Sequence, residues 1–294
     1  MKKCYFYIVA TAFLFGTMEI AIKYSGSAFD PIQLTFLRFF IGGLILLPLS
    51  IADMKKKNIR LSPGDWGYLL FLGTVCVGIS MPLMQISLKG INANMVAVII
   101  SSSPLFTMIF AHFVANDPFT RRKAVSLVLM IIGLVICSDP SKVISGDIDL
   151  FYLSCIILAS ATFGFYTAFG KRRIGRIGGI TQNALSFLLG CAVLLAMMLL
   201  AGIPVVKGIC LETAPMVIYL GMIVTGMGYF CYLKIVEIST PSMASIVFFL
   251  KPIIAPILAF IILGEEITSS LVFGLVFMLS GSYINLSQGL KNKA

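Results

Sequence analysis

Charge is what this sequence most lacks: 12% of its 294 residues are Asp, Glu, Lys or Arg, where a soluble domain carries about 25%. There is too little polar surface to cover a water-facing globule, which excludes a soluble fold. Histidine is scarcer still. His112 is the single copy, near the end of an apolar run, and a lone histidine makes no metal site. The 7 cysteines are dispersed, with no C-x-x-C pair, so neither a zinc cluster nor a disulfide framework is expected. No P-loop and no nucleophile–base pair is visible. An enzyme reading has nothing to stand on, and no cofactor or metal is implied.

What the chain has instead is hydrophobicity: 59% apolar residues and a mean hydropathy of +1.02. A hydrocarbon core ~30 Å thick demands apolar runs of roughly 17–25 residues from a helix. About ten such runs lie near 4–23, 32–51, 66–88, 92–114, 122–138, 150–169, 180–200, 214–235, 241–263 and 269–288. A spanning barrel would alternate polarity in ~10-residue segments, and these runs do not alternate. The pattern predicts an all-α membrane protein of ten transmembrane helices. The opening "MKKCYFYIVATAFLFG" resembles a signal peptide in its lysines, apolar stretch and "ATA". Its counterpart later in the chain makes it an uncleaved first span.

The net charge of +10 is a topology signal. With the N-terminus inside, the inner segments hold Lys2, Lys3, Lys55, Lys56, Lys57, Arg60, Arg121, Arg122, Lys123, Lys171, Arg172, Arg173, Arg176, Lys234, Lys291 and Lys293. The outer segments hold Lys23, Lys89, Lys142 and Lys207, and Arg38 and Lys251 lie within spans. This positive-inside bias puts both termini in the cytoplasm of a multi-pass protein of the cytoplasmic (inner) membrane. No nucleic-acid partner is expected.

Shifting the sequence by 148 positions brings two halves into register without a gap. Gly16 meets Gly164, Gly73 meets Gly221, Gly78 meets Gly226, Gly133 meets Gly281 and Pro104 meets Pro252; Met95/Met243 and Thr120/Thr268 agree as well. Matched glycines and prolines carry weight because each marks a backbone position with its own geometric need. Five spans is an odd number, so the second copy enters the membrane upside down. The halves, 1–138 and 150–294, are joined by a polar, acidic external linker over 139–149. Inverted repeats of this kind hold their sites near the midplane, between the halves.

These residues resemble the drug/metabolite transporter superfamily, in its EamA-type branch of ten-span proteins. The first span, "FLFGTMEIAIK", is similar to the family's aromatic-Gly-polar opening ending in lysine, and "LTFLRFFIGGLILLP" to its Leu-Arg-Phe segment. Both halves carry a Pro-then-apolar span and an acidic turn, "PLFTMIFAHFVANDPFT" and "PIIAPILAFIILGEEIT"; Gly264-Glu265 keeps the family's Gly-Glu, while the first copy has Asn116-Asp117. The resemblance implies two five-helix bundles around a central cavity, moving small metabolites by alternating access. Members move amino acids, nucleotide-related compounds and other solutes. The residue before the second-copy proline is usually uncharged or acidic, so Lys251 departs from the pattern.

Lys251 is the leading candidate for substrate binding. Ten residues beyond Pro241, it lies about 15 Å into the membrane, too deep for its stem to reach water. It must face a cavity or a partner. Pro252 and Pro256 each remove a helical N–H, freeing the Phe248 and Pro252 carbonyls, so a broken helix is expected there, as at Pro104. Glu19 and Arg38 are the other charges inside spans, both in the outer half. They can pair with each other, a structural role, or Glu19 can hold a coupling proton or an ammonium group. Helical spacing adds Gln85 with Met81, Tyr229 with Tyr232, and Phe163 with Tyr166. Ser101, Ser102 and Ser103 precede Pro104 where the second copy has Phe249, Leu250 and Lys251; their hydroxyls bond carbonyls of their own helix or meet a ligand. The expected partners are the bilayer, a small-molecule substrate and a coupling proton or ion, with monomer and homodimer both open. The expected function is secondary active transport of a small organic metabolite, amino acid-like or otherwise bearing a carboxylate or phosphate; a proton-coupled exporter of cationic drugs using Glu19, and a non-transporting scaffold, are the alternatives.

Overall fold

The computed structural model of the chain describes residues 2–25, 28–115, 120–238 and 247–291, and among them the regular structure is helical throughout, with no strand. Asn116, Asp117, Pro241 and Met243 lie outside the described residues. Ten crossings follow one another in chain order. Lys2–Gly16 and Met18–Tyr24 form the first, and Pro31–Lys56 the second. The third joins Pro63–Gly73, a wide π-helical stretch Thr74–Ser80, and Met81–Ser87. The fourth joins Ala93–Ile100 and Ser103–Ala115, and the fifth is Arg121–Cys137. Leu150–Gly170 and Gly179–Leu200 are the sixth and seventh. The eighth repeats the third's pattern, with Ala214–Ile218, a π-helical stretch Tyr219–Met227 and Gly228–Ile238. Val247–Leu263 and Ser269–Lys291 are the ninth and tenth. Seven of these rods are long and apolar enough to cross a membrane by composition alone, and Leu250–Leu263 and Ser269–Ile284 are shorter apolar helices.

The sequence writes the helix starts locally. Asp30, ahead of Pro31, accepts from the Ile32 N–H at 2.8 Å, and Asp149 accepts from Phe151 N–H at the same distance. Ser62 and Asp65 form a reciprocal capping box around the start of the third span. Each arrangement satisfies N–H groups that the first helical turn leaves unpaired.

The outer surface is apolar: Phe6, Phe13, Phe113, Val128, Phe260 and Phe273 all point outward, as lipid-facing side chains do. In lipid, helices gain little from burying leucine, and close backbone approach takes over. A Cβ at Gly133 would lie 2.6 Å from the Gly274 carbonyl, and one at Gly281 would lie 2.7 Å from the Ser126 carbonyl. The two contacts exchange under the 148-residue shift, 133 with 281 and 126 with 274. Gly16 against Ile254 and Gly164 against Phe106 exchange in the same way. The helix pairs follow suit: the first span packs on the eighth and ninth, and the sixth on the third and fourth. The inverted repeat is thus a packing symmetry as well as a sequence one.

The ninth helix differs from expectation. It runs unbroken from Val247 to Leu263 through Pro252 and Pro256. Proline's fixed φ is already helical, and packing against the first and fourth spans holds the turn where hydrogen bonds are lost. In the fourth span the chain does interrupt, at Ser101–Ser102, and Pro104 then occupies the first turn of the next helix, where its missing N–H costs nothing.

The two ends of the bundle are built differently. At the basic end, buried Asp65 accepts from Ser62 N–H and Oγ at 2.8 Å, from Arg173 Nη1 at 2.8 Å and from Arg176. At the linker end, Glu265 accepts from the Ala93 and Asn94 N–H groups at 2.8 and 2.9 Å and pairs with Lys23 at 3.2 Å. Gln33 donates to the Val205 and Lys207 carbonyls at 3.0 and 2.7 Å on the same side.

Candidate functional site

Between the halves lies a cavity of about 880 Å³, running from the buried centre to the basic end, where Asp53, Lys57, Lys171 and Arg176 line it. Its inner walls obey the repeat. Phe15, Met18, Met81, Met84, Ile100 and Ser103 line it, and so do Phe163, Tyr166, Tyr229, Tyr232, Phe248 and Lys251. The second set is the first shifted by 148 positions, residue for residue. Pairwise packing sorts these into two walls, spans one, eight and nine against spans three, four and six. Phenol and phenyl rings dominate the first wall, with Phe15 and Tyr229 centroids 5.2 Å apart and Tyr232 and Phe248 5.9 Å apart. The other wall is richer in thioethers, soft surfaces that adapt to what they contact.

The π-helical stretches explain how the third and eighth spans reach the cavity. Met81 and Tyr229 follow closely on them, and the extra residue per turn rotates the following side chains relative to a regular helix. Such wide turns recur at functional sites.

Lys251 is 6% exposed and Glu19 fully buried, and they meet with Nζ 2.6 Å from Oε1. Lys251 stands at the cavity surface, whereas Glu19 is sealed behind it. The pairing of Glu19 with Arg38, one of the roles considered for these charges, is therefore not the one formed. Lys251 lies about 12 residues before the end of its helix, about 18 Å, and its extended stem covers the offset to Glu19 in the outer half. Arg38 is 1% exposed and lies in the cavity wall. Its Nη2 donates to Met81 Sδ at 3.2 Å and its Cζ sits 4.7 Å from the centroid of the Phe39 ring.

Of the remaining sequence candidates, Met81, Ser103, Tyr166, Tyr229, Tyr232 and Phe248 come together at the cavity. Tyr166 Oη donates to Asn183 Oδ1 at 3.0 Å. Gln85 does not join them. It is turned into the helix packing and donates to Thr35 Oγ1 at 2.6 Å. Ser101 and Ser102 donate to the Ala97 and Ile99 carbonyls at 2.7 and 2.6 Å, the local bonding available to hydroxyls at a helix end. His112 is exposed on the second half of the fourth span.

Sequence reasoning missed Met18, Met84 and Ile100, although the 148-residue shift of Tyr166, Tyr232 and Phe248 names all three. It also missed Asn183, Thr167 and Thr225 in the lining, isolated polar residues with no periodic signal. Glu265 was visible only as part of an acidic turn. Its contacts at the linker end come from Ala93, Asn94 and Lys23, far away in sequence.

A model described as the EamA-like transporter family matches residues 2–138 and 150–287. The chain is 36% identical to an "Uncharacterized transporter" of Clostridium kluyveri over 99% of its length and 95% of the relative's. It is 26% identical to the "S-adenosylmethionine uptake transporter" of Rickettsia prowazekii, covering 89% and 84% of the two chains. A crystal structure 15% identical superposes over the whole of both chains with a TM-score of 0.66, a likeness of fold.

Proposed function

Because the chain belongs to the EamA-like transporter family, we propose that it is a secondary active transporter of a small organic solute bearing a carboxylate or phosphate. It moves the solute across the cell membrane by alternating access between the halves 1–138 and 150–294, and it is not an enzyme. The observation that supports this most is the cavity of about 880 Å³ with Lys251 and Arg38 in its wall. That volume falls in the range of small-molecule sites, and two cations against one buried carboxylate favour an anionic group. Phenyl and thioether walls suit the rest of the solute. One relative is named for S-adenosylmethionine, a solute that carries a carboxylate.

With the basic end in the cytoplasm, as the positive-inside bias favours, the cavity faces inward. Lys23, Glu265 and Gln33 then hold the outer side shut. Energy comes from gradients of the solute, of protons or of another ion.

An exporter of cationic drugs, with Glu19 as its acidic site, is disfavoured by one contact. Lys251 covers the carboxylate on the side where a cation would enter.

Counterflow in proteoliposomes tests the transporter reading. Preloaded vesicles should accumulate labelled members of a metabolite panel only when they contain the protein and a matching internal solute. No counterflow with any panel member would count against it.

A further inference from the structure

Three charges share one buried group, and two of them have unmet needs. Glu19 gives Oε1 to Lys251, yet its Oε2 has no partner among the described residues. Arg38 gives Nη2 to a thioether, a weak acceptor, and its Nε and Nη1 have no partner among them either. Those two nitrogens carry about three of the five guanidinium N–H donors. Left unpaired away from water, a carboxylate oxygen and a guanidinium edge are strongly unfavourable. Met18, next to Glu19 in the chain, lines the cavity together with Lys251 and Arg38, so one movement of the Glu19 carboxylate toward Arg38 would answer both needs. That movement would also uncover the Lys251 ammonium at the cavity surface.

The repeat-related positions do without these charges. Under the 148-residue shift Glu19 corresponds to Thr167, Arg38 to Ser186 and Lys251 to Ser103. Every counterpart is a hydroxyl. Thr167 donates to the Phe163 carbonyl at 2.9 Å and Ser186 to that of Asn183 at 3.3 Å, so the same positions are filled without any charge in the other half. The repeat therefore fills all three equivalent positions with neutral residues, and the charged set has no counterpart there.

We propose that Glu19 is a switching counter-ion: the anionic group of the solute takes Lys251, and Glu19 turns its carboxylate to Arg38. This rests on the transporter reading and narrows its solute class. Two cations and one anion leave a surplus of one positive charge beside the cavity. A monoanion cancels that surplus; a neutral solute leaves it, and a dianion reverses it. The same event joins solute binding to a rearrangement of the first, second and ninth spans, which carry the three residues.

The test uses the purified full chain in nanodiscs at mildly alkaline pH, with three aromatic probes of different charge: neutral benzamide, monoanionic benzoate and dianionic phenylphosphate. Ligand-induced rises in the unfolding midpoint are recorded against concentration. Benzoate should stabilise the wild type, and benzamide should not. Lys251→Met and Arg38→Met should each weaken the benzoate effect about tenfold or more. Should Arg38→Met fail to fold, Arg38→Lys keeps the charge without the planar fork and should show a partial loss. Glu19→Gln adds a positive charge to the site and should move the preference from benzoate to phenylphosphate. A merely structural salt bridge would leave the order of the probes unchanged in every variant. The switch is overturned if no anion stabilises the wild type, if benzamide matches benzoate, or if Glu19→Gln leaves the charge preference as it was. Counterflow separates the two readings: transport of only neutral or cationic solutes overturns the switch and spares the transporter, whereas no counterflow at all counts against the transporter itself.

Discussion

Lys251 and Glu19 stand 232 positions apart in the chain and meet at 2.6 Å inside the bundle, joining the ninth span to the first. Neither charge can be left alone at that depth. Desolvating an ammonium or a carboxylate costs several kcal/mol, and only a well-placed partner offsets it. Removing both members should therefore cost clearly less than the two single removals added together. Lys251→Met and Glu19→Gln are each expected to destabilise by about 3–5 kcal/mol, and the double variant by clearly less than their sum. Chemical unfolding of the four proteins in one detergent measures the cycle.

The glycine contacts make a second prediction. Gly133→Val would place a side chain against the backbone at Gly274 and Met278, where even a Cβ comes within 2.6–2.7 Å. Neither backbone can give way cheaply, and a loss of about 1–3 kcal/mol or more is expected. Gly67, by contrast, faces open space, where an added Cβ would meet nothing within 4 Å, and it lies in a regular helix. Gly67→Ala should be neutral or raise stability by about 0.4–1 kcal/mol. Thermal unfolding of both variants beside the wild type checks the contrast.

The linker-end seal predicts a change in access. Glu265→Ala strips an acceptor from the Ala93 and Asn94 N–H groups and a partner from Lys23. Losing the buried acceptor should cost about 1–3 kcal/mol, and the part-exposed lysine adds little. A cysteine at Ser103, in a background lacking the native cysteines, should then react faster with a polar maleimide added from the linker side. Unchanged labelling would mean that the seal lies elsewhere.

Acid should loosen the junction between linker and tenth span. The Asp139 carboxyl is held below its usual range, chiefly by the Ser141 hydroxyl, with the Ser270 hydroxyl and Lys142 adding to it. A carboxyl whose folded pKa is depressed contributes stability that is present above its unfolded value, about 3.9, and lost as pH falls through the folded value. Asp139→Asn should thus lower the unfolding midpoint at neutral pH, and the gap to wild type should close on acidification. A gap that widens in acid would contradict the assignment.

Much of the fold was legible because lipid leaves few choices. Run length and loop charge dictate the spans, and odd-numbered repeats dictate inversion. Glycine positions carried over because both halves use the same close approaches, such as Gly133 on Gly274 and Gly281 on Ser126. Lys251 announced itself as a charge that needed a partner, but which partner was a tertiary matter. Depth along a helix could not separate Arg38 from Lys251, since a lysine stem erases several ångströms of offset. Gln85 shows the converse limit. A polar residue one helical turn from the cavity-lining Met81 reads as site from sequence, yet its amide meets Thr35 between helices. Pro252 and Pro256 mark lost hydrogen bonds reliably and broken helices only when packing permits.

Counterflow of labelled carboxylate and phosphate metabolites by wild type, Lys251→Gln and Glu19→Gln tests the central claim most directly. The account predicts accumulation of a monoanionic solute by the wild type and a fall of about tenfold or more for that solute in both variants. Equal transport by all three proteins would contradict it, placing the solute away from the Lys251–Glu19 pair.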